Sequence, residues 1–233
     1  MRILLVPGLW LDASSWSGVV PLLEVIDHHA HPVTLPGAGR YDGRRSEVTL
    51  ADQIAAVVEL IDGLDDDVVL VGHSAGAAVV HAAADARPER VARLVYVDAV
   101  PGGPGSRVAP DLPVTGGVIP LPDWDVFEEA DLVDLTEELR ADLRARAIPA
   151  PARVASDELD LHDEARFTIP ATVVSCEFTP EQLRAWMAAG EPATAELARM
   201  DDVTIVHLPT GHWPQFTRPG DLAATLARVV GPA

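Results

Sequence analysis

The sequence has no lysine and no asparagine, and its only cysteine is Cys176. Without lysine there can be no Schiff base, no pyridoxal-phosphate anchor and no phosphate-loop ammonium. Without asparagine no side chain of that type can donate to an oxyanion or accept a glycan. One thiol rules out an internal disulfide and a multi-thiolate metal site, and we read it as a small buried hydrophobe. Positive charge is scarce: 17 basic residues stand against 36 acidic ones, a net charge of −19. Such a surface repels phosphate backbones and anionic lipid, so neither a nucleic acid nor a membrane is expected as a partner. No apolar run approaches the roughly 20 residues that span a bilayer. Met1-Arg2 leads straight into Ile3–Val6, too short for a secretory core and stopped by Pro7. The chain is therefore expected to start where it is written and to work in the cytoplasm.

The 233 residues are 48% hydrophobic and 23% charged, the balance of an ordinary globular domain. Short apolar runs alternate with longer helical patterns, which predicts an α/β fold with a mostly parallel sheet flanked by helices. The strand candidates are Ile3–Val6, His31–Leu35, Val68–Val71, Leu94–Val97, Ala171–Ser175 and Val203–Leu208. Helices are expected near Ser14–Ile26, Leu50–Leu64, Ala75–Ala86, Pro180–Ala189 and Gly220–Val230. The alternation stops after Asp98. Pro101–Pro122 is rich in proline and glycine, and Asp123–Arg146 carries Phe127, Leu132, Leu135, Leu139 and Leu143 at helical spacing. Residues 101–170 thus read as a helical lid inserted into a core made of residues 1–100 and 171–233. Its acidic residues Asp123, Asp125, Glu128, Glu129 and Asp131 read as a solvated helix surface.

Val68-Val69-Leu70-Val71 runs directly into Gly72-His73-Ser74-Ala75-Gly76 and then a run of small residues. Strand, Gly-x-Ser-x-Gly and helix in that order form a nucleophile elbow, with Ser74 exposed on a strained turn at a helix N-terminus. A serine nucleophile needs a base, and eight histidines are available. His73 lies inside the elbow, His81 is mid-helix, His162 is in the lid and His207 is in the last strand. His28, His29 and His31 read as a solvated turn. His212 remains, in a loop between the last strand and the last helix, where sites form in open parallel sheets. The oxyanion hole is expected from the N–H groups of Ala75 and Leu9, the latter in the turn Val6-Pro7-Gly8-Leu9-Trp10.

With these motifs placed, the chain resembles the α/β-hydrolase superfamily nearly end to end. Within it the chain resembles the small lidded serine esterases of the methyl-ester esterase and hydroxynitrile lyase branch. Those esterases often carry His-Gly where this chain has Pro7-Gly8, and an aromatic residue matched here by Trp16. The lyases depend on a lysine that is missing, and Ser74 stands where haloalkane dehalogenases have an aspartate. The resemblance implies a triad acid after the strand Ala171–Ser175, yet the loop Ser175-Cys176-Glu177-Phe178 has no aspartate. Asp98, at the end of the preceding strand, is the preferred acid, and Glu177 is the alternative.

The resemblance implies hydrolysis of a small to medium uncharged carboxylic ester, thioester or lactone through an acyl-enzyme on Ser74. A slow-turnover, receptor-like binding protein, or another acyl-transfer or carbon–carbon hydrolase reaction on the same triad, is the alternative. Trp10 and Trp213 are expected at the pocket mouth. Trp124 and Phe127 either join the pocket wall or pack the lid's own core. No metal and no organic cofactor are implied. The expected partners are a small-molecule ester and at most a second copy in a homodimer.

Overall fold

A computed structural model describes residues 1–231. The strands are β1 (Arg2–Val6), β2 (His29–Pro32), β3 (Val68–His73), β4 (Val91–Val97), β5 (Val118–Ile119), β6 (Ala150–Pro151), β7 (Ala171–Ser175) and β8 (Val203–His207). The α-helices are α1 (Val20–Glu24), α2 (Leu50–Asp62), α3 (Gly76–Ala86), α4 (Glu137–Arg146), α5 (Ala152–Ser156), α6 (Pro180–Ala189), α7 (Pro214–Thr217) and α8 (Pro219–Val230). Six strands form one parallel sheet in the order β2-β1-β3-β4-β7-β8, while β5 and β6 pair antiparallel beside it. The chain runs outward from β1 to β2 and then returns to place β3 on the other side of β1. That reversal opens a crevice at the C-terminal ends of β1 and β3.

Every residue of β3 is buried, as expected of a strand covered on both faces. Side chains alternate between two cores with the two-residue period of a strand. Leu4, Val6 and Leu70 join α2, α3 and α6 on one face. Ile3, Leu5, Val69 and Val71 join Trp16, Leu23, Leu222 and Leu226 on the other. Local chemistry fixes the helix ends. Thr49 and Asp52 form a capping box at the start of α2, as Thr179 and Gln182 do for α6. Each such cap contributes about 1 kcal/mol. Gly190, at φ 71°, ends α6 in a left-handed turn.

Three expectations need correction. The single helix over Ser14–Ile26 is instead a 3₁₀ turn (Ala13–Trp16) followed by the short α1. Asp12 caps the turn through the Ser14 N–H, and Pro21 lacks the N–H that continuous helix would need. The histidine cluster is no solvated turn: His29 and His31 lie on the edge strand β2, and His28 is buried. Burial holds the His28 imidazole below its ordinary pKa. Between β4 and β7, Asp123–Arg146 is helical only over a 3₁₀ turn (Trp124–Val126) and α4. Asp131 accepts the Glu128 N–H in a local turn that competes with helix.

The segment between β4 and β7 lies over the C-terminal edge of the sheet and is pinned at several points. The Ile148 N–H donates to the Trp10 carbonyl at 2.9 Å, and the Trp10 indole N–H donates to the Ile119 carbonyl at 3.1 Å. Among the described residues no helix is long and apolar enough to cross a membrane.

Candidate active site

β3 delivers Ser74 into a left-handed conformation (φ 52°) immediately before α3. An L-residue adopts that conformation only where its surroundings enforce it. Here the Ser74 N–H donates to the Val97 carbonyl at 3.1 Å. Neighbouring chain leaves no room for side chains on either elbow glycine. A Cβ at Gly76 would sit 2.6 Å from the carbonyl oxygens of Val6 and Pro7, and one at Gly72 would sit 2.6 Å from the Gly76 carbonyl.

His212 follows β8 and projects back over the elbow. Its Nε2 lies 2.8 Å from Ser74 Oγ, and its Nδ1 lies 2.8 Å from Asp98 Oδ2. A carboxylate can only accept, so Nδ1 carries the proton and Nε2 is free to accept from the serine hydroxyl. Asp98 is buried at the end of β4 and is itself left-handed (φ 49°). Its second oxygen accepts the N–H groups of Cys176 (2.8 Å) and Glu177 (3.2 Å). Of the two acid candidates, Asp98 therefore touches the imidazole, whereas Glu177 Oε2 stands 3.8 Å from Nδ1. The ligand atoms of Asp98, Glu177 and His212 all lie within 4.8 Å of one another. With the Nδ1 lone pair replaced by a proton held on Asp98, the trio is not read as a metal centre.

Beneath the imidazole, His73 is fully buried, and burial lowers its pKa to about 3. Its Nε2–H donates to the His212 carbonyl at 2.7 Å, leaving Nδ1 to accept from the Gln215 amide at 3.2 Å. A permanently neutral ring thus props the His212 backbone. The N–H groups of Leu9 and Ala75 have no protein acceptor among the described residues. They flank the elbow beside Ser74 as two free donors.

A cavity of about 520 Å³ opens over Ser74 and His212. Leu9, Trp10, Val100, Leu112, Phe127 and Leu159 line much of its wall. Trp124 and Trp213 do not line it. Trp213 is buried, with Trp124 at 5.9 Å and Phe127 at 5.3 Å between ring centroids, so these rings pack the Trp124–Phe127 segment onto the loop that carries His212. Asp131, expected on a solvated helix surface, instead faces the cavity. Arg107 and Ala193 also reach the lining, and no periodic signal in the sequence marks them, because both lie outside α-helices and strands. For Asp131 the available clue is an aspartate three residues after Glu128, the spacing of a local turn.

Burial pushes the Glu177 carboxyl up to about 9, assisted by the nearby charges of Asp98, Asp131 and Glu128. Burial also raises the Cys176 thiol, next to Asp98 and Glu177, so it is no nucleophile at neutral pH.

Comparison with known proteins agrees with this architecture. An extracellular α/β-hydrolase from a Paenibacillus species superposes with a TM-score of 0.79 at 22% identity, covering 98% of both chains. Tomato methylketone synthase I superposes with a TM-score of 0.75 at 17% identity, over 98% of this chain and 97% of that one. In sequence, Methylesterase 4 of Arabidopsis thaliana is 35% identical over 102 residues, which are 42% of this chain and 39% of that protein. The pyrethroid hydrolase of Sphingobium wenxiniae is 32% identical over 104 residues, 44% of this chain and 37% of that protein. The match therefore spans well under half the length of these curated relatives. A family model described as the alpha/beta hydrolase family covers residues 3–225, and the chain belongs to that family.

Proposed function

We propose that the chain is a serine hydrolase that cleaves a small to medium uncharged carboxylic ester. The observation that carries this reading is the unbroken relay from Ser74 Oγ through both ring nitrogens of His212 to Asp98, each contact 2.8 Å long. Ser74 Oγ attacks the carbonyl carbon while His212 Nε2 takes the hydroxyl proton. Asp98 keeps Nδ1 protonated and stabilises the imidazolium that forms. The Leu9 and Ala75 N–H groups receive the oxyanion. Collapse of the tetrahedral intermediate expels the alkoxide, which leaves as the alcohol with the proton from His212. Water then attacks the acyl-enzyme, giving its proton to His212. The second collapse returns that proton to Ser74 and releases the acid. The balance is ester plus water to acid plus alcohol, with no metal or organic cofactor in any step.

The cavity of about 520 Å³ and its largely apolar wall suit an aromatic or medium aliphatic group. Asp131 beside it disfavours an anionic acyl chain. The names of the curated relatives, methylesterases and a pyrethroid hydrolase among them, support ester cleavage. The test is hydrolysis of p-nitrophenyl acetate, butyrate and octanoate by the wild type and by Ser74→Ala, with fluorophosphonate labelling of both. Turnover and labelling should both disappear in the variant. A single stoichiometric burst would favour a receptor-like protein that deacylates slowly. Equal rates in the two proteins would overturn Ser74 as the nucleophile.

A further inference from the structure

Ser74 and Asp98 orient the His212 ring, and other groups hold its backbone. Both peptide groups of His212 are bonded. Its N–H donates to the Asp131 carbonyl at 2.8 Å, in the segment between β4 and β7. Its carbonyl accepts the Nε2–H of His73 at 2.7 Å. His73 is the residue before the nucleophile, so the elbow itself sets the distance from Ser74 to the base.

A carbonyl can only accept, so the His73 proton sits on Nε2 and Nδ1 carries a lone pair. The ring is buried, and burial keeps it neutral. Among the described residues the one donor to that lone pair is the Gln215 amide, at 3.2 Å. Gly8 packs its main chain against the same nitrogen, where a Cβ would lie only 3.1 Å away. Gln215 belongs to α7, three residues after His212. The His212 carbonyl, the His73 imidazole and the Gln215 amide therefore close into one ring of contacts.

Gln215 is itself buried, and its Oε1 finds no partner among the described residues. A buried oxygen without a donor is costly. For packing alone, a methionine would fill the space without stranding one. The side chain is placed for its donor.

We propose that Gln215 is a positioning residue for the hydrolysis: by donating to Nδ1 it locks His73 in the tautomer that holds the His212 carbonyl, and so fixes the base over Ser74. Without that donor the ring gains the other tautomer, with the proton on Nδ1 and a lone pair facing the carbonyl oxygen at 2.7 Å. Two acceptors in contact repel, and His212 moves off the line between Ser74 Oγ and Asp98 Oδ2. Neither His73 nor Gln215 lines the cavity, so substrate binding does not depend on them directly.

This inference rests on the reading of His212 as the base, so one readout needs no turnover. Nitrogen-15 spectra of the histidine rings at neutral pH report which nitrogen carries the proton. The wild type should show His73 in a single neutral form with the proton on Nε2. Gln215→Met keeps the volume and removes the donor. Gln215→Glu puts an acceptor opposite Nδ1 and should draw a proton onto it. Gln215→Met should lose on the order of tenfold in kcat and Gln215→Glu on the order of a hundredfold, each with KM within about twofold of the wild type. In a urea titration Gln215→Met should stay close to the wild type, because the stranded oxygen leaves with the donor. A wild-type proton on Nδ1, or wild-type kcat in both variants, would overturn the proposal. So would a loss of kcat that tracks a loss of stability while the His73 proton stays on Nε2, since Gln215 would then be structural. The expected spectra in a protein without esterase activity would instead preserve the lock and remove the hydrolase reading.

Discussion

Asp98 holds Cys176 as firmly as it holds the imidazole: one carboxylate oxygen accepts the Cys176 N–H and the other faces His212 Nδ1, each at 2.8 Å. The loop after β7 therefore contributes backbone donors to an acid carried by the neighbouring strand. With both oxygens satisfied, the carboxylate stays fixed in a left-handed backbone position that would otherwise be costly.

Replacing Asp98 by asparagine keeps the shape but removes the charge. Asparagine can also present its amide to Nδ1 and select the wrong tautomer. We expect Asp98→Asn to lower kcat by about 10⁴-fold and Glu177→Gln by less than tenfold at neutral pH. Steady-state kinetics of the two variants side by side would check this, and the reverse ranking would transfer the acid to Glu177.

Gly211 offers a test of the backbone contact at His212 that leaves every titratable group in place. A methyl group there must push the segment Asp131–Val133 off the loop that carries His212. Gly211→Ala is expected to cost about 1–3 kcal/mol of stability and to lower kcat by displacing His212. A urea titration alongside the kinetics separates the two effects. Wild-type stability with wild-type kcat would mean that the segment moves aside freely.

Much of this site could be read from the chain because its parts are local. Ser74 lies between a fully buried strand and a small-residue helix, and His212 lies in the loop after the last strand. The limits of α6 match the sequence expectation because Thr179, Pro180 and Gly190 mark both ends with strong conformational preferences. What could not be read depends on distant contacts. Which of Asp98 and Glu177 meets the imidazole turns on which carboxylate receives the backbone donors of residues 176 and 177. The burial of Trp213 and the inward face of Asp131 follow from how the segment between β4 and β7 packs on the sheet edge. Spacing carries no signal for docking, so an acidic run with scattered leucines reads as a helix surface whichever way it faces.

The cavity wall gives a prediction about selectivity. Ala78, on the first turn of α3, lines the cavity beside Ser74. A phenyl ring there removes roughly 100 Å³ of space and leaves the relay residues themselves unchanged. Ala78→Phe should reduce kcat/KM for p-nitrophenyl octanoate at least tenfold more than for the acetate. Equal losses on both esters would mean that the acyl chain lies elsewhere.

Behind the sheet, the buried Arg166 joins Glu196 at 2.8 Å and Asp85 at 3.0 Å, while His81 bridges Glu196 and the Tyr96 hydroxyl. Asp85 also accepts the His162 and Asp163 N–H groups where the chain returns toward β7. Removing the guanidinium strands two buried carboxylates, so Arg166→Ala should cost about 3–5 kcal/mol in a urea titration. The cluster also sets an acid limit. Burial alone would raise the Glu196 carboxyl, but hydrogen bonds from His81 and Arg166, with the Arg166 charge, outweigh it and hold the pKa below the ordinary value. A depressed carboxylate contributes stability above its unfolded pKa and loses it as pH falls through its folded value. Wild-type unfolding midpoints should therefore drop as pH falls below the usual carboxylate range. Glu196→Gln should start lower at neutral pH and fall less steeply over the same range. Parallel acid limbs in the two proteins would show that Glu196 contributes nothing to acid stability.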